Sequence, residues 1–244
     1  PEAHPRCLST PKERAAIMEK LGLDVLVLLP FTQELANTRA RDLLRMLCDR
    51  LQMRELWVGA DFAMGHNREG DITTLSALSS EMGFKLQVIT PLHEGKAPIS
   101  STRIRDLPSK GIVHDAAELL GRRYAISGQV IRGAQRGRYL GFRTAKLRME
   151  PNRALPSKGV YAAWAYVEGK YRASVASVGI RPTFDNGELL VEVHLLDYEG
   201  DLYQKELRIE FVRRLRGEKR FDDAGLLVDQ IRQDIIDTRK VLYP

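Results

Sequence analysis

The hydrophobic period of this chain changes once, near residues 121–124, and that change limits the possible folds more than any other feature. Before it, short apolar runs alternate with stretches whose leucines recur at helical spacing. After it, valine, isoleucine and tyrosine dominate stretches of strand length. Alternating helices and strands predict an α/β layer on a parallel sheet, whereas a run of strands predicts an antiparallel sheet closed on itself. Two domains are therefore expected, over 1–121 and 122–244.

In the first half, Thr10-Pro11-Lys12-Glu13 reads as a capping box with proline at the first helical position. It opens a helix with Ala16, Ile17 and Leu21 on its apolar side. Residues 24–30 are almost continuously apolar, as in a parallel strand covered on both faces. A helix is expected over 38–51, where Leu43, Leu44, Leu47 and Leu51 share a face, followed by a strand at 55–59, a helix at 71–82 and a strand at 85–91. This half is expected to be α/β, with a doubly wound parallel sheet. A further helix at 114–120 ends on Gly121, a C-cap glycine.

In the second half, strands are expected at 124–133, 159–168, 171–179, 189–196 and 207–213, with Glu168-Gly169-Lys170 as a hairpin turn. Five or six such strands imply a small antiparallel β-barrel. A C-terminal helix follows from about residue 222, with Leu227, Ile231, Ile235 and Thr238 on one stripe and Leu226 and Val228 beside it.

The formal charge of +6 and the pI near 9.4 admit nucleic acid, nucleotides or other phosphorylated partners. The basic cluster Arg132, Arg136, Arg138, Arg143, Lys146 and Arg148 has only Tyr139 and Phe142 for base stacking, so a nucleic-acid surface is not expected. The longest apolar run, residues 25–31, falls far short of the roughly 20 residues that cross a membrane. No membrane partner is expected. Cys7 and Cys48 have neither metal-ligand nor disulfide-framework spacing, which fits a reducing cytoplasm.

Four strings could carry chemistry. Gly133, Gly137 and Gly141 punctuate a segment holding Arg138, Arg143, Thr144 and Lys146. Taken alone it is either a polyphosphate cradle or a solvated connection. Gly179-Ile-Arg181-Pro182-Thr183-Phe184 is a second loop of that kind, stiffened by proline, or only a turn. Glu192 and His194 lie two apart on one strand and hence on one face, with Val191, Val193 and Leu195 on the other. In the first half, Gly59-Ala-Asp61-Phe62-Ala-Met-Gly65 follows a strand. Ser100-Ser101-Thr102-Arg103-Ile104-Arg105 opens a helix with hydroxyls and arginines suited to phosphate, though its first serine also suits an ordinary cap.

Read together, these strings resemble the bacterial bifunctional riboflavin kinase and FMN adenylyltransferase, or FAD synthetase, over nearly the whole chain. Further matches are Leu119-Leu-Gly-Arg-Arg-Tyr124, Gly159-Val-Tyr-Ala, Gly200-Asp-Leu-Tyr203 and Phe211-Val-Arg-Arg-Leu-Arg216. The resemblance implies a nucleotidylyltransferase domain with a Rossmann-like sheet, in which Gly59, Asp61, Phe62, Ser100, Ser101, Thr102 and Arg105 bind nucleotide, followed by a riboflavin kinase barrel. There the loop containing Gly133, Gly137, Arg138, Gly141, Thr144 and Lys146 wraps ATP, and Thr144 helps hold Mg²⁺. Glu192 accepts the proton of the riboflavin 5′-hydroxyl as FMN forms. Arg181, Thr183, Phe211, Arg214 and Arg216 are expected at the flavin.

The chain departs from that pattern in places. Where the family runs Gly-Phe-Pro-Thr-Ala-Asn, this chain has Gly141-Phe142-Arg143-Thr144-Ala145-Lys146; Ser177 stands for an asparagine and Gln204 for a glycine. A lysine offers no lone pair to a metal, and beside Mg²⁺ it would repel by about a few kcal/mol at an intermediate dielectric. Lys146 is therefore expected to weaken the metal site, to point at a phosphate in its place, or to swing into solvent. The family's His-x-Gly-His segment does not precede Pro1, and His4-Pro5 resembles the end of a later Pro-His-Pro segment. The expectation is a trimmed or partial chain whose adenylyltransferase domain is incomplete, with FAD synthesis absent or slow if the chain is complete as given. A catalytically weakened flavin- or nucleotide-binding paralogue is the second reading.

Overall fold

The computed structural model describes residues 6–133, 137, 140–180, 189–221 and 223–244. By packing, the chain forms two compact units, Val25–Ile99 and the remainder, Pro1–Asp24 with Ser100–Pro244.

In the Val25–Ile99 unit, short helix α2 (Gln33–Asn37) and helix α3 (Ala40–Leu51) precede strand β1 (Glu55–Gly59). Helix α4 (Ile72–Met82) then returns the chain to β2 (Lys85–Ile89), which pairs parallel with β1. Asp71 caps α4 by accepting from the Thr74 N–H at 2.8 Å, and that bond holds its carboxyl below the usual range. Leu44, Leu75, Leu78 and Phe84 form the core. A hairpin, β3 (His93–Glu94) with β4 (Ala97–Pro98), closes the unit.

The strand expected over 24–30 does not form. Val25, Val27, Leu28 and Phe31 are exposed, and among the described residues no strand pairs with this run. An apolar run becomes a parallel strand only when neighbours accept its backbone hydrogen bonds and both faces are covered. The parallel sheet accordingly has two strands rather than the three expected.

In the other unit, helix α1 (Pro11–Lys20) carries the expected capping box, with the Glu13 N–H donating to Thr10 Oγ1 at 3.1 Å. Ala16 and Leu21, expected on its apolar side, are exposed. The segment is fastened by Leu8, which packs against the barrel core, and by polar contacts. Cys7 and Arg153 form a parallel bridge, and the Arg153 guanidinium, almost fully buried, pairs with Glu13 at 2.6 Å. This explains why residues 1–24 pack with the barrel and not with the rest of the expected domain over 1–121. Packing therefore divides the chain elsewhere than the change of period does.

Helices α5 (Ser101–Ser109) and α6 (Val113–Leu120) follow, α6 ending on Gly121 in the left-handed region. The barrel comprises β5 (Tyr124–Ile131), β6 (Ala145–Arg148), β7 (Gly159–Val167), β8 (Lys170–Ile180), β9 (Leu189–Leu195) and β10 (Glu206–Arg216). It closes in the order β10-β5-β6-β9-β8-β7 with every pair antiparallel. Strict alternation turns Tyr124, Ile126, Leu147, Tyr161, Val178, Val191, Val193, Ile209 and Phe211 inward. Glu168 and Gly169, both at positive φ, make the expected two-residue hairpin turn. Burial pushes the Tyr124 hydroxyl up to about 12, so it remains a donor to the Ala154 carbonyl at neutral pH.

Helix α7 (Ala224–Leu242) lies against the outside of β7, β8 and β10, capped by Asp223 and packed through Ile235, Val241 and Leu242. Its Asp234 is buried and takes a two-pronged ion pair from Arg216, at 2.8 and 2.7 Å. No helix among the described residues is long and apolar enough to cross a membrane.

Two predictions follow from these constraints. Replacing Asp234 with Ala strands a half-buried guanidinium and is expected to lower unfolding free energy by about 3–5 kcal/mol, while the double variant R216M/D234L recovers most of it. Gln204 sits at φ +64 just before β10, in the region that favours glycine. Gln204→Gly is therefore expected to raise stability by about 0.5–1 kcal/mol. Urea denaturation checks both, and an unchanged midpoint for either variant would contradict its account.

Candidate functional site

The barrel carries a cleft of about 270 Å³. Arg143, Thr144 and Ala145 form one wall, Tyr198, Glu199, Gly200, Asp201, Leu202 and Tyr203 the other, with Val130, Val193 and Leu195 between them. The first wall belongs to the glycine-punctuated segment. The Phe142 N–H donates to the Gly137 carbonyl at 2.8 Å, closing a tight loop. A side chain at 137 would collide with the Phe142 carbonyl and lie 3.3 Å from Thr144 Oγ1, so only glycine allows this approach. Strand β9 anchors the same loop: His194 Nδ1 is 2.8 Å from the Arg143 carbonyl, and the Phe142 ring meets the His194 ring edge to face at 5.8 Å.

The second wall is braced from below. Asp201 accepts from the Tyr203 N–H at 2.9 Å, and the Arg132 guanidinium lies 5.5 Å over the Tyr203 ring. The Lys205 ammonium binds Glu168, which also accepts from the Tyr198 hydroxyl at 3.3 Å. That ammonium holds Glu168 below the usual carboxylate range. Sequence reasoning gave this wall no role. Its one signal was the string Gly200-Asp-Leu-Tyr203, whose asparaginyl-type turn is local but whose partners across the cleft are distant in sequence.

Glu192 and His194 do share a face, because Val191, Val193 and Leu195 are buried in the barrel. In the sheet register Glu192 lies opposite Lys146 of β6 on one side and Ser177 of β8 on the other. The inward neighbours Ala145, Leu147, Ala176 and Val178 show that Lys146 and Ser177 share the outer face with Glu192. The stem of Lys146 runs past Gly133, where an added Cβ would lie 3.6 and 3.7 Å from Lys146 Cβ and Cδ. Gly133 thus lies beside Lys146, Gly137 beside Thr144, and Lys146 opposite Glu192, whereas a Cβ added at Gly141 would touch none of them.

Other expected residues fall elsewhere. Arg138, Arg181 and Thr183 lie outside the described residues. Phe211, expected at the flavin, is fully buried, 5.3 Å from the Tyr161 ring and 6.3 Å from Tyr124. Arg216 is committed to Asp234, and Arg214 donates to the Lys158 carbonyl at 2.7 Å.

In the unit Val25–Ile99, Gly59 ends β1 and accepts from the Phe62 N–H at 3.1 Å, while Arg68 donates to the Asp61 carbonyl at 3.2 Å. In the other unit, Ser100 caps α5 by accepting from the Arg103 N–H at 3.3 Å. Ser101 and Thr102 are exposed in the first turn, and Arg105 donates to the Arg6 carbonyl at 2.9 Å.

Known proteins carry the same two-part plan. Residues 1–103 match the FAD synthetase family and residues 120–242 the riboflavin kinase family. The bifunctional riboflavin kinase/FMN adenylyltransferase of Pseudomonas fluorescens is 33% identical over 246 residues, covering 100% of this chain and 78% of that protein. The protein of the same description from Escherichia coli K12 is 33% identical over 238 residues, covering 97% and 76%. A crystal structure of a Streptococcus pneumoniae protein described as a macrolide-efflux protein superposes with a TM-score of 0.85 at 29% identity, over 95% of this chain and 75% of that one. A six-stranded barrel with its outer helix, aligned along its whole length with such relatives, places this chain in the bifunctional riboflavin kinase/FMN adenylyltransferase family.

Proposed function

We propose that the barrel, residues 122–244, transfers the γ-phosphate of ATP to the 5′-hydroxyl of riboflavin and so forms FMN. The observation that carries this is the register of β6 and β9, which sets the carboxylate of Glu192 opposite Lys146 at the foot of the glycine loop. Phosphoryl transfer requires little covalent chemistry of the protein. It needs the phosphates held, their charge balanced, and the attacking hydroxyl oriented with its proton accepted.

The residues divide those tasks. The loop from Gly133 to Thr144 approaches the polyphosphate with its backbone, and Gly137 lets that backbone come close to the Thr144 hydroxyl. Arg143 brings a cation to the cleft wall, and Tyr198 and Tyr203 supply apolar surface opposite for the nucleoside. Glu192 is the general base, accepting the ribityl hydroxyl proton as the oxygen attacks phosphorus. Arg181 and Thr183, outside the described residues, are assigned to riboflavin by family resemblance.

The magnesium ion that the resemblance implies meets a poor donor set. On the loop wall Thr144 offers one neutral oxygen and the residue two further on is an ammonium without a lone pair, while the opposite wall carries the carboxylates of Glu199 and Asp201. Among the described residues no group of three His, Cys, Asp or Glu side chains could hold a metal ion. These residues do not fit a magnesium ion caged by protein. An ion in this cleft would rest on the nucleotide's own phosphates and water.

FMN adenylyl transfer, the second activity in the relatives' descriptions, is assigned to residues 1–121. There Gly59, Asp61 and Phe62, and separately the hydroxyls opening α5, are the nucleotide-binding residues.

The kinase assignment is tested by Glu192→Gln, which keeps the side chain's shape and removes its basicity. FMN formation from riboflavin and ATP is expected to fall by about 10²–10⁴-fold with an unchanged melting temperature. Turnover at the wild-type rate would remove Glu192 from the mechanism.

A further inference from the structure

We infer that Lys146 is a fixed cation of the phosphate site, placed to neutralise the nucleotide's phosphate charge and so to make nucleotide binding largely independent of a divalent metal ion. The inference rests on the kinase reading of the barrel and adds to it a residue whose charge is opposite to that of a metal ligand. Three observations converge on Lys146.

The first is its register. Residues directly opposite on neighbouring antiparallel strands hold their Cβ atoms about 4.5–5.5 Å apart on the same face. Lys146 and Glu192 are such a pair, and Glu192 and Ser177 the next, so an ammonium, a carboxylate and a hydroxyl stand in one row across β6, β9 and β8. The row lies on the outer face, because Ala145, Leu147, Val191, Val193, Ala176 and Val178 on either side of it are buried.

The second is the path of the stem. Lys146 Cβ and Cδ run alongside Gly133, the first glycine of the loop, so the aliphatic part is laid toward the segment that approaches phosphate. A Cβ added at 133 would stand at ordinary contact distance from that stem, 3.6 and 3.7 Å away, so the two run side by side. The third is the donor chemistry already described: among the described residues of the loop, Thr144 alone brings a neutral side-chain oxygen to the cleft wall.

A lysine so placed does two things. Its ammonium donates to a phosphate oxygen, a charge-assisted bond that a compact point charge makes without demanding geometry. It also keeps positive charge beside Glu192 while the γ-phosphate sits between the loop and that strand, offsetting repulsion between carboxylate and phosphate that would otherwise weaken binding. Both effects bear on binding in the absence of metal, which separates them from the base's part in turnover.

Calorimetric titration of ADP into the full chain tests this, once in EDTA and once in saturating magnesium chloride, for the wild type, Lys146→Met and Lys146→Arg. The wild type is expected to bind ADP with affinities that differ little between the two conditions. Lys146→Met is expected to lose at least about tenfold in EDTA, the scale of one charge-assisted hydrogen bond, and to regain most of it with magnesium. Lys146→Arg, which keeps the charge, should stay metal-independent and serves as the control for folding.

Wild-type binding that already needs magnesium would overturn the inference. So would a loss in Lys146→Met that is equal in both conditions, because that is the mark of a structural residue. ADP failing to bind the wild type in either condition would overturn the kinase reading itself, and this inference with it.

Discussion

The hydrogen-bond register that closes β10 onto both β5 and β7 is the constraint on which the barrel and its site depend. Closure leaves no free edge and commits one face of every strand to the interior, the outer face being apolar only where the last helix covers it. Once Val191 and Val193 are committed to the interior, Glu192 must face outward, and its neighbours on that face are dictated by the ladder rather than by its own sequence. A slip of one residue between β6 and β9 would turn Lys146 and Glu192 into the core and unmake the row.

What surrounds the cleft is held by tight backbone geometry and charge more than by apolar packing. Gly137 permits the carbonyl of Phe142 and the hydroxyl of Thr144 to sit where a side chain would be, while His194 ties the loop back to the strand that bears Glu192. Across the cleft, Lys205 with Glu168 and Arg132 over Tyr203 steady the opposite wall. Farther out, Arg216 with Asp234 fastens the last helix, and Arg153 with Glu13 fastens the first.

Features carried by a few neighbouring residues could be read from the sequence. The capping box at Thr10, the Gly121 terminus, the Glu168-Gly169 turn and the opposite faces of Glu192 and Val191 all depend on local spacing, and each is found in the structure. Pairings between distant segments could not be read in this way. Residues 24–30 have the composition of a buried strand but gain no partner. Phe211 resembles a ligand contact by its motif, yet alternation buries it. Arg216 looked equally available until Asp234, on a helix 18 residues later, claimed it. Strand β6 was hidden because its residues also belong to the glycine loop. The departures at Gln204 and Lys146 were visible in sequence, but their meaning needed a backbone angle in one case and a cross-strand neighbour in the other.

The claim that phosphoryl transfer takes place between the glycine loop and β9 is met most directly by a crystal structure of the chain with ADP and riboflavin. The account predicts ADP phosphates against the segment from Gly133 to Thr144, and the riboflavin 5′-hydroxyl within about 2.6–3.2 Å of a Glu192 carboxylate oxygen. Phosphates bound away from that loop, or a ribityl chain ending beyond the reach of Glu192, would contradict it.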